Sequence, residues 1–304
     1  VSARAQSRPW EVHAALAGAQ VGFSLFPILG KLALTAIPPL LLAFLRVSAA
    51  ALLLDLLRRA TGSEAIRPAD RKRIVLYGLL GVSFNQVLFI LGLFYTSAIN
   101  TTILTSTIPV FTLAAAVLLG RERLTPRPAL GIVLAGAGAL ALVNAQRFDW
   151  SSDNFRGDLL LLANCTSYSL YLVLSRPILA HYRVVTFTAA VFRYGAILIA
   201  LLAVPEILRF HPSAVPALAW ACLAGVVLFC TVIPYLLNSW ALARTHASRV
   251  AFYVFLQPLL STILANTILD EALTAKTVAA ALLIFAGLAT TLARGARLPA
   301  RPLP

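Results

Sequence analysis

The chain has 304 residues, 60% of them hydrophobic and 12% charged, with a mean hydropathy of +0.87 and a formal net charge of +14. So large an apolar share, against the roughly 45–50% usual in soluble domains, excludes a soluble globule. The basic residues fall between apolar blocks rather than along one face, which excludes a nucleic-acid groove as the reason for the charge.

Ten apolar blocks of about the 20 residues that cross a bilayer core as a helix succeed one another along the chain. The first, 13–34, is not followed by a small-residue cleavage site and reads as a retained helix. Along it Gln20, Ser24, Pro27 and Lys31 recur on one helical face. The second, 38–57, carries Arg46. The third, 74–95, holds Asn85 and Phe89 on one stripe with Gln86 beside them, and the fourth, 98–119, holds Thr107 and Pro109 and precedes Glu122. A Gly-rich fifth block, 127–145, ends the first half. The sixth, 157–177, has the stripe Asn164, Tyr168, Tyr171 and Ser175, and the seventh, 184–204, carries Arg193. The eighth, 214–243, is long enough to tilt or to kink at Pro234, and presents Thr231, Tyr235 and Asn238 with Ser239 and Trp240 adjacent. The ninth, 247–268, contains Tyr253, Gln257 and Pro258 and precedes Glu271; the tenth is 276–294.

Orientation follows from the loops. One side collects Arg4, Arg8, Arg58, Arg59, Arg67, Arg71, Lys72, Arg73, Arg121, Arg123, Arg127, Arg176, Arg183, Arg244 and Arg249 with the C-terminal arginines. The other side holds only Lys31, Arg147, Arg156, Arg209 and Lys276. The positive-inside rule then puts both termini in the cytoplasm, as an even helix count requires. Short loops without targeting extensions suit a bacterial inner membrane.

An internal repeat runs through the chain. Ala98, Pro109, Glu122, Leu124, Thr125 and Gly138 each recur 149 positions later as Ala247, Pro258, Glu271, Leu273, Thr274 and Gly287. Phe44-Leu45-Arg46-Val47 is echoed by Val191-Phe192-Arg193-Tyr194 after a two-residue adjustment. The expected organisation is one membrane domain, 1–304, built of repeats 13–145 and 157–294. Five helices per repeat is an odd number, so the second repeat must enter the membrane inverted, an architecture associated with alternating access around a midplane site.

The proline in the fourth helix of each half, the Glu-x-Leu-Thr after it (Glu122 to Thr125, Glu271 to Thr274) and the Gly-rich fifth helix resemble the drug/metabolite transporter superfamily. Within it the chain is similar to the EamA-type ten-helix exporters, and most to the YddG-like amino acid exporters. That resemblance implies an all-α integral membrane protein, with ten transmembrane helices arranged as two inverted five-helix repeats around a central cavity. It also implies export of amino acids, aromatic ones among them, and related metabolites.

A carrier must replace the hydration its solute loses, and the bilayer offers nothing for the purpose. The candidate substrate-binding residues are therefore the polar and aromatic stripes: Ser24, Asn85, Gln86, Thr107, Asn164, Tyr168, Tyr171, Thr231, Tyr235, Asn238, Trp240, Tyr253 and Gln257. Singly, each of these could equally be interhelical hydrogen-bond glue. Pro27, Arg46, Pro109, Glu122, Arg193, Pro258 and Glu271 are candidates for structural or gating roles. Arg46 and Arg193, about 10–13 Å from their nearer helix ends at 1.5 Å per residue, could bond neighbouring carbonyls or meet a substrate carboxylate. Cys165, Cys222 and Cys230 lie in apolar blocks without metal-ligand spacing, and neither metal nor cofactor is expected. No catalytic motif argues for an enzyme and no filter-like loop for a channel. Asp and Glu are missing from the middle of every predicted helix, which suggests facilitated diffusion or exchange. The expected partners are a small-molecule substrate and the lipid bilayer, with the protein a monomer; the rival function is antiport of phosphorylated metabolites.

Overall fold

A helix lets an apolar segment satisfy its backbone hydrogen bonds internally, as a bilayer demands. In the computed structural model of the chain, which describes residues 8–62, 64–96, 101, 104–142, 152–260 and 275–292, every regular element is helical. In chain order these are α1 (Pro9–Leu34), α2 (Pro39–Ala60), α3 (Pro68–Gly78), α4 (Asn85–Tyr95), α5 (Ile108–Leu118) and α6 (Pro126–Leu142). The second half contributes α7 (Ser152–Leu179), α8 (Val184–Arg209), α9 (Ala217–Val227), α10 (Ile233–Leu242), α11 (Ala247–Phe252) and α12 (Ala275–Leu292). Proline opens α1, α2, α3 and α6, where its missing N–H has no intrahelical partner to lose. Gly120, at φ 65°, ends α5: its own N–H reaches the Val117 carbonyl and the Arg121 N–H reaches Ala116, a Schellman turn that needs the left-handed region.

Six of the described stretches are long and apolar enough to cross a membrane: Trp10–Leu34, Pro39–Ala60, Pro68–Tyr95, Phe155–Leu179, Val184–Arg209 and Ala217–Leu242. Ile108–Leu118 and Ala247–Leu260 are shorter apolar helices. The expected fourth span does not run unbroken from 98 to 119. The chain turns at Ser106 and Thr107, and Pro109 stands in the first turn of α5 instead of bending a continuous helix. Helix α8 continues to Arg209, past the expected end at 204, and α7 begins at Ser152.

Two segments wind as π-helix: Leu79–Phe84 between α3 and α4, and Leu228–Val232 between α9 and α10. Leu79 and Leu228 are separated by the same 149 positions as the sequence repeat. Thr231 donates to the Val226 carbonyl and the Ser83 hydroxyl lies 3.4 Å from the Gly78 carbonyl, each five residues back, so a side chain faces the widened turn in both. Pro234 falls in the first turn of α10, just after the second π segment.

Helices of like rank in the two halves pack on each other: α2 on α8, and α6 on α12. The latter approach is close, since a Cβ on Gly287 would lie 2.6 Å from the Gly131 carbonyl oxygen. Helix α1 lies along α9 and α10, and α7 along α4 and α5. At the Arg-rich end, Arg183 bonds the Thr61 and Gly62 carbonyls and Tyr182 donates to Asp70 at 2.7 Å. At the opposite end Lys31 donates to the Thr96 carbonyl at 3.0 Å and Thr96 to Asp158 at 3.0 Å.

Candidate functional site

The faces of α1, α4, α7 and α10 that carry amides and aromatic rings converge on a cavity. Ser24, Asn85, Gln86, Asn164, Tyr168, Tyr235, Asn238 and Gln257 line it, together with Pro27 and Arg46. These polar groups also bond one another. Asn164 donates to the Asn85 carbonyl at 2.6 Å, Asn238 to the Tyr168 hydroxyl at 2.8 Å, and Gln257 to Gln20 at 2.8 Å. Cavity lining and interhelical hydrogen bonding are therefore shared by one set of residues, and an amide, with two donors and an acceptor oxygen, has capacity beyond a single bond.

Gln86 donates to the Tyr235 hydroxyl at 2.7 Å, although the two are 149 positions apart. They hold matching positions of the sequence repeat. Tyr235 also meets Phe23 and Phe192 edge-on, with ring centroids 5.7 and 4.8 Å away. The rings give the cavity apolar contact area as well as a polar handle.

Arg46 is the cation of this wall. It is 1% exposed, its Nε donating to the Thr231 hydroxyl at 2.6 Å, Nη1 to Gln86 Oε1 at 2.6 Å and Nη2 to the Cys230 carbonyl at 3.3 Å. The guanidinium lies 3.7 Å over the Phe26 ring, and Phe26 stacks on Phe89 at 5.0 Å. Its repeat counterpart has a different fate. Arg193 is 46% exposed and points at Asp55, 3.8 Å away, outside the cavity.

Several expected binding residues stand elsewhere. Thr107 bonds the Leu104 carbonyl within its own turn. Tyr171 backs the cavity, stacked behind Tyr168 and pressed on Gly81, where a Cβ would lie 2.4 Å from its ring. Thr231 holds Arg46 rather than facing the cavity, and Trp240 lies under the Arg244 guanidinium at 4.0 Å. The Tyr253 hydroxyl lies 2.5 Å from His13 Nδ1, in a 3-10 turn that precedes Pro258, whose missing N–H interrupts the helical ladder. Conversely, Phe23, Phe26, Thr101, Thr105, Ile108, Leu172, Val250, Ala251 and Val254 line the cavity without having been singled out as binding residues. The i, i+4 spacing of Thr101 and Thr105 was the one available signal for that pair.

At the Arg-rich end a second polar cluster joins the halves. The turn at Gly120 directs Glu122 onto Ser248, where it accepts from both the backbone N–H, at 3.2 Å, and the hydroxyl. Glu122 thus caps α11 rather than the helix that follows it in the chain. Arg176 donates to the Thr245 carbonyl at 2.6 Å. Between these lies His246, whose pKa is lowered by burial first and by the Arg176 charge second. The counterpart Glu271 lies outside the described residues.

The profile of the EamA-like transporter family matches the chain twice, over residues 11–144 and 155–293. Two relatives from Archaeoglobus fulgidus, both described as uncharacterized transporters, are 29% and 26% identical over 253 and 230 residues. These matches cover 79% and 74% of this chain and 83% and 79% of the relatives. The Bacillus subtilis uncharacterized transporter YetK is 26% identical over 264 residues, covering 86% of this chain and 79% of YetK. A solved structure described only as "Crystal structure of protein" superposes with a TM-score of 0.78 at 22% identity, covering 94% of this chain and 98% of the other. With both halves matched by one profile and apolar helices enclosing a cavity lined by amides and aromatic rings, the chain belongs to the EamA-like transporter family, multi-pass membrane transporters.

Proposed function

We propose that this transporter exports small neutral amino acids, aromatic ones included, by alternating access around the central cavity, through facilitated diffusion or exchange. The observation that carries the reading is the cavity wall: amides from α1, α4, α7 and α10 alternate with tyrosine and phenylalanine rings, which suits an amphipathic solute of modest size. Among its described lining residues none is Asp, Glu or His, which supports a transport cycle without an intramembrane proton relay. A ten-helix count with inverted five-helix repeats is part of the proposal. The Gln86–Tyr235 bond, the like-on-like packing of α2 with α8 and α6 with α12, and the 149-residue offset of the two π segments support it. The Arg-rich end faces the cytoplasm of a bacterial cell, by the positive-inside rule.

Antiport of phosphorylated metabolites calls for several cations in one cavity. Arg46 alone is cationic among the described lining residues, while Lys31 is held by Thr96 and Arg193 lies at Asp55. The deciding experiment is counterflow in proteoliposomes without any ion gradient. Labelled phenylalanine or leucine should accumulate in vesicles preloaded with the same amino acid and not in empty ones. Accumulation that requires a pH gradient would overturn the facilitated mechanism, and counterflow of sugar phosphates alone would overturn the substrate class.

A further inference from the structure

We propose that Arg46 selects the solute by binding a single carboxylate group, so that the cavity accepts monocarboxylates and zwitterions and rejects cations. The inference rests on the reading that this cavity is the solute site. Its basis is a charge without a counter-charge. Arg46 is 1% exposed, and each of its hydrogen-bond acceptors is neutral: a hydroxyl, an amide oxygen and a backbone carbonyl. Neutral dipoles and the Phe26 ring solvate the guanidinium but leave its charge in place. A buried cation is normally paired, because the cost of removing it from water is high. Arg193, its counterpart in the sequence repeat, is 46% exposed and nonetheless lies 3.8 Å from a carboxylate, Asp55. Among the described residues Arg46 has no such partner, and the cavity it lines contains no acidic side chain to supply one.

The donor count points to the missing group. A guanidinium has five N–H bonds in a planar fork. Three are directed at Thr231, Gln86 and Cys230, leaving one on each terminal nitrogen, the number that a bidentate carboxylate takes. The fork is held in advance. Thr231 is anchored through its own bond to the Val226 carbonyl in the π turn, and Gln86 through Tyr235, so little order has to be created on binding. One carboxylate brings the site to neutrality. The ammonium of a zwitterion can then be met by lining amide oxygens, whereas a solute bearing only positive charge faces Arg46 in a poorly screened interior.

The test uses the full chain in proteoliposomes, with labelled phenylalanine counterflow challenged by three external competitors: 3-phenylpropionate, phenylalanine amide and phenethylamine. The acid should compete, and the amide and amine should not. Arg46→Gln should lower counterflow by about 10- to 100-fold, the loss expected for a hydrogen-bonded charge contact. Gln86→Glu decides the matter if Arg46→Gln does not fold. It places a carboxylate where Oε1 now lies 2.6 Å from Nη1, so it should keep a monodisperse, heat-stable protein while occupying Arg46 and abolishing counterflow. Counterflow within twofold of wild type in either folded variant, or competition by phenethylamine equal to that by the acid, would overturn the role of Arg46. Arg46-dependent counterflow of 3-phenylpropionate with none of any amino acid would remove the amino acid reading and leave this one standing. Counterflow of phenethylamine alone would remove both.

Discussion

The joint between α2 and the π segment Leu228–Val232 and the joint between α8 and the π segment Leu79–Phe84 hold corresponding places in the sequence repeat but are built by opposite means. In the second, backbone lies on backbone. A Cβ on Gly195 would stand 2.5 Å from Val82 Cβ and 2.9 Å from the Gly78 carbonyl oxygen, and Ser83 donates to the Gly195 carbonyl at 2.8 Å. Arg193 is left at the edge. In the first, Arg46 fills the space with a guanidinium shared among Thr231, Cys230 and Gln86. Close apposition leaves room neither for a charge nor for a ligand, and makes a fixed contact. The charged joint keeps donors beside the cavity. A repeated scaffold can thus assign packing to one copy of an element and recognition to the other.

Substitutions can break this contrast, and the largest effect belongs at the tight joint. Gly195→Leu must push α8 off Val82 and should cost about 3 kcal/mol or more, read as a collapse of the thermal transition in detergent and loss of the monodisperse peak. At the charged joint Thr231→Val strands the Arg46 Nε donor and should cost about 2 kcal/mol, with counterflow falling in parallel. Ser83→Ala at the tight joint removes a neutral bond and should cost only about 1 kcal/mol, with counterflow unchanged. If Ser83→Ala impaired transport as much as Thr231→Val, the division of labour would be wrong. Away from both joints, Glu122→Gln weakens the cap on α11 by about 1 kcal/mol and should raise protease access at the Arg-rich end.

The smallest effect is a pH dependence. Burial and Arg176 hold the His246 pKa below its ordinary value, so the unfolded chain binds its proton more readily than the native one. The stability this contributes is present above the unfolded pKa and is lost as pH falls toward the lowered native value. A thermal transition that declines on acidification through that window, and declines less in His246→Gln, is the expected record.

Much of the site was legible because helical periodicity is local. Ser24, Asn85, Asn164, Tyr168, Tyr235 and Asn238 could be placed on polar stripes by counting 3.6 residues per turn, and the stripes do meet. The same counting is blind to one extra residue in a turn, so neither π segment was visible, and without them Thr231 reads as a lining residue instead of a clamp on Arg46. Tyr171 shares the Tyr168 stripe yet lies behind it, because the glycine that receives its ring, Gly81, is on another helix. Trp240 and Tyr253 were misplaced for a related reason: aromatic residues near helix ends find their partners, Arg244 and His13, in arrangements that no spacing rule encodes.

By itself the sequence determined that the chain lives in a bilayer and repeats itself, since block length, hydropathy and the 149-residue echo are properties of the chain read one segment at a time. Only the tertiary structure decided which of two arginines, each set in the same apolar pattern, keeps an unpaired charge at the cavity and which stands near a carboxylate at the rim. That choice depends on what stands opposite each of them, a π turn with a hydroxyl for Arg46 and a carboxylate for Arg193, and such neighbours are brought together by packing across helices rather than by order along the chain.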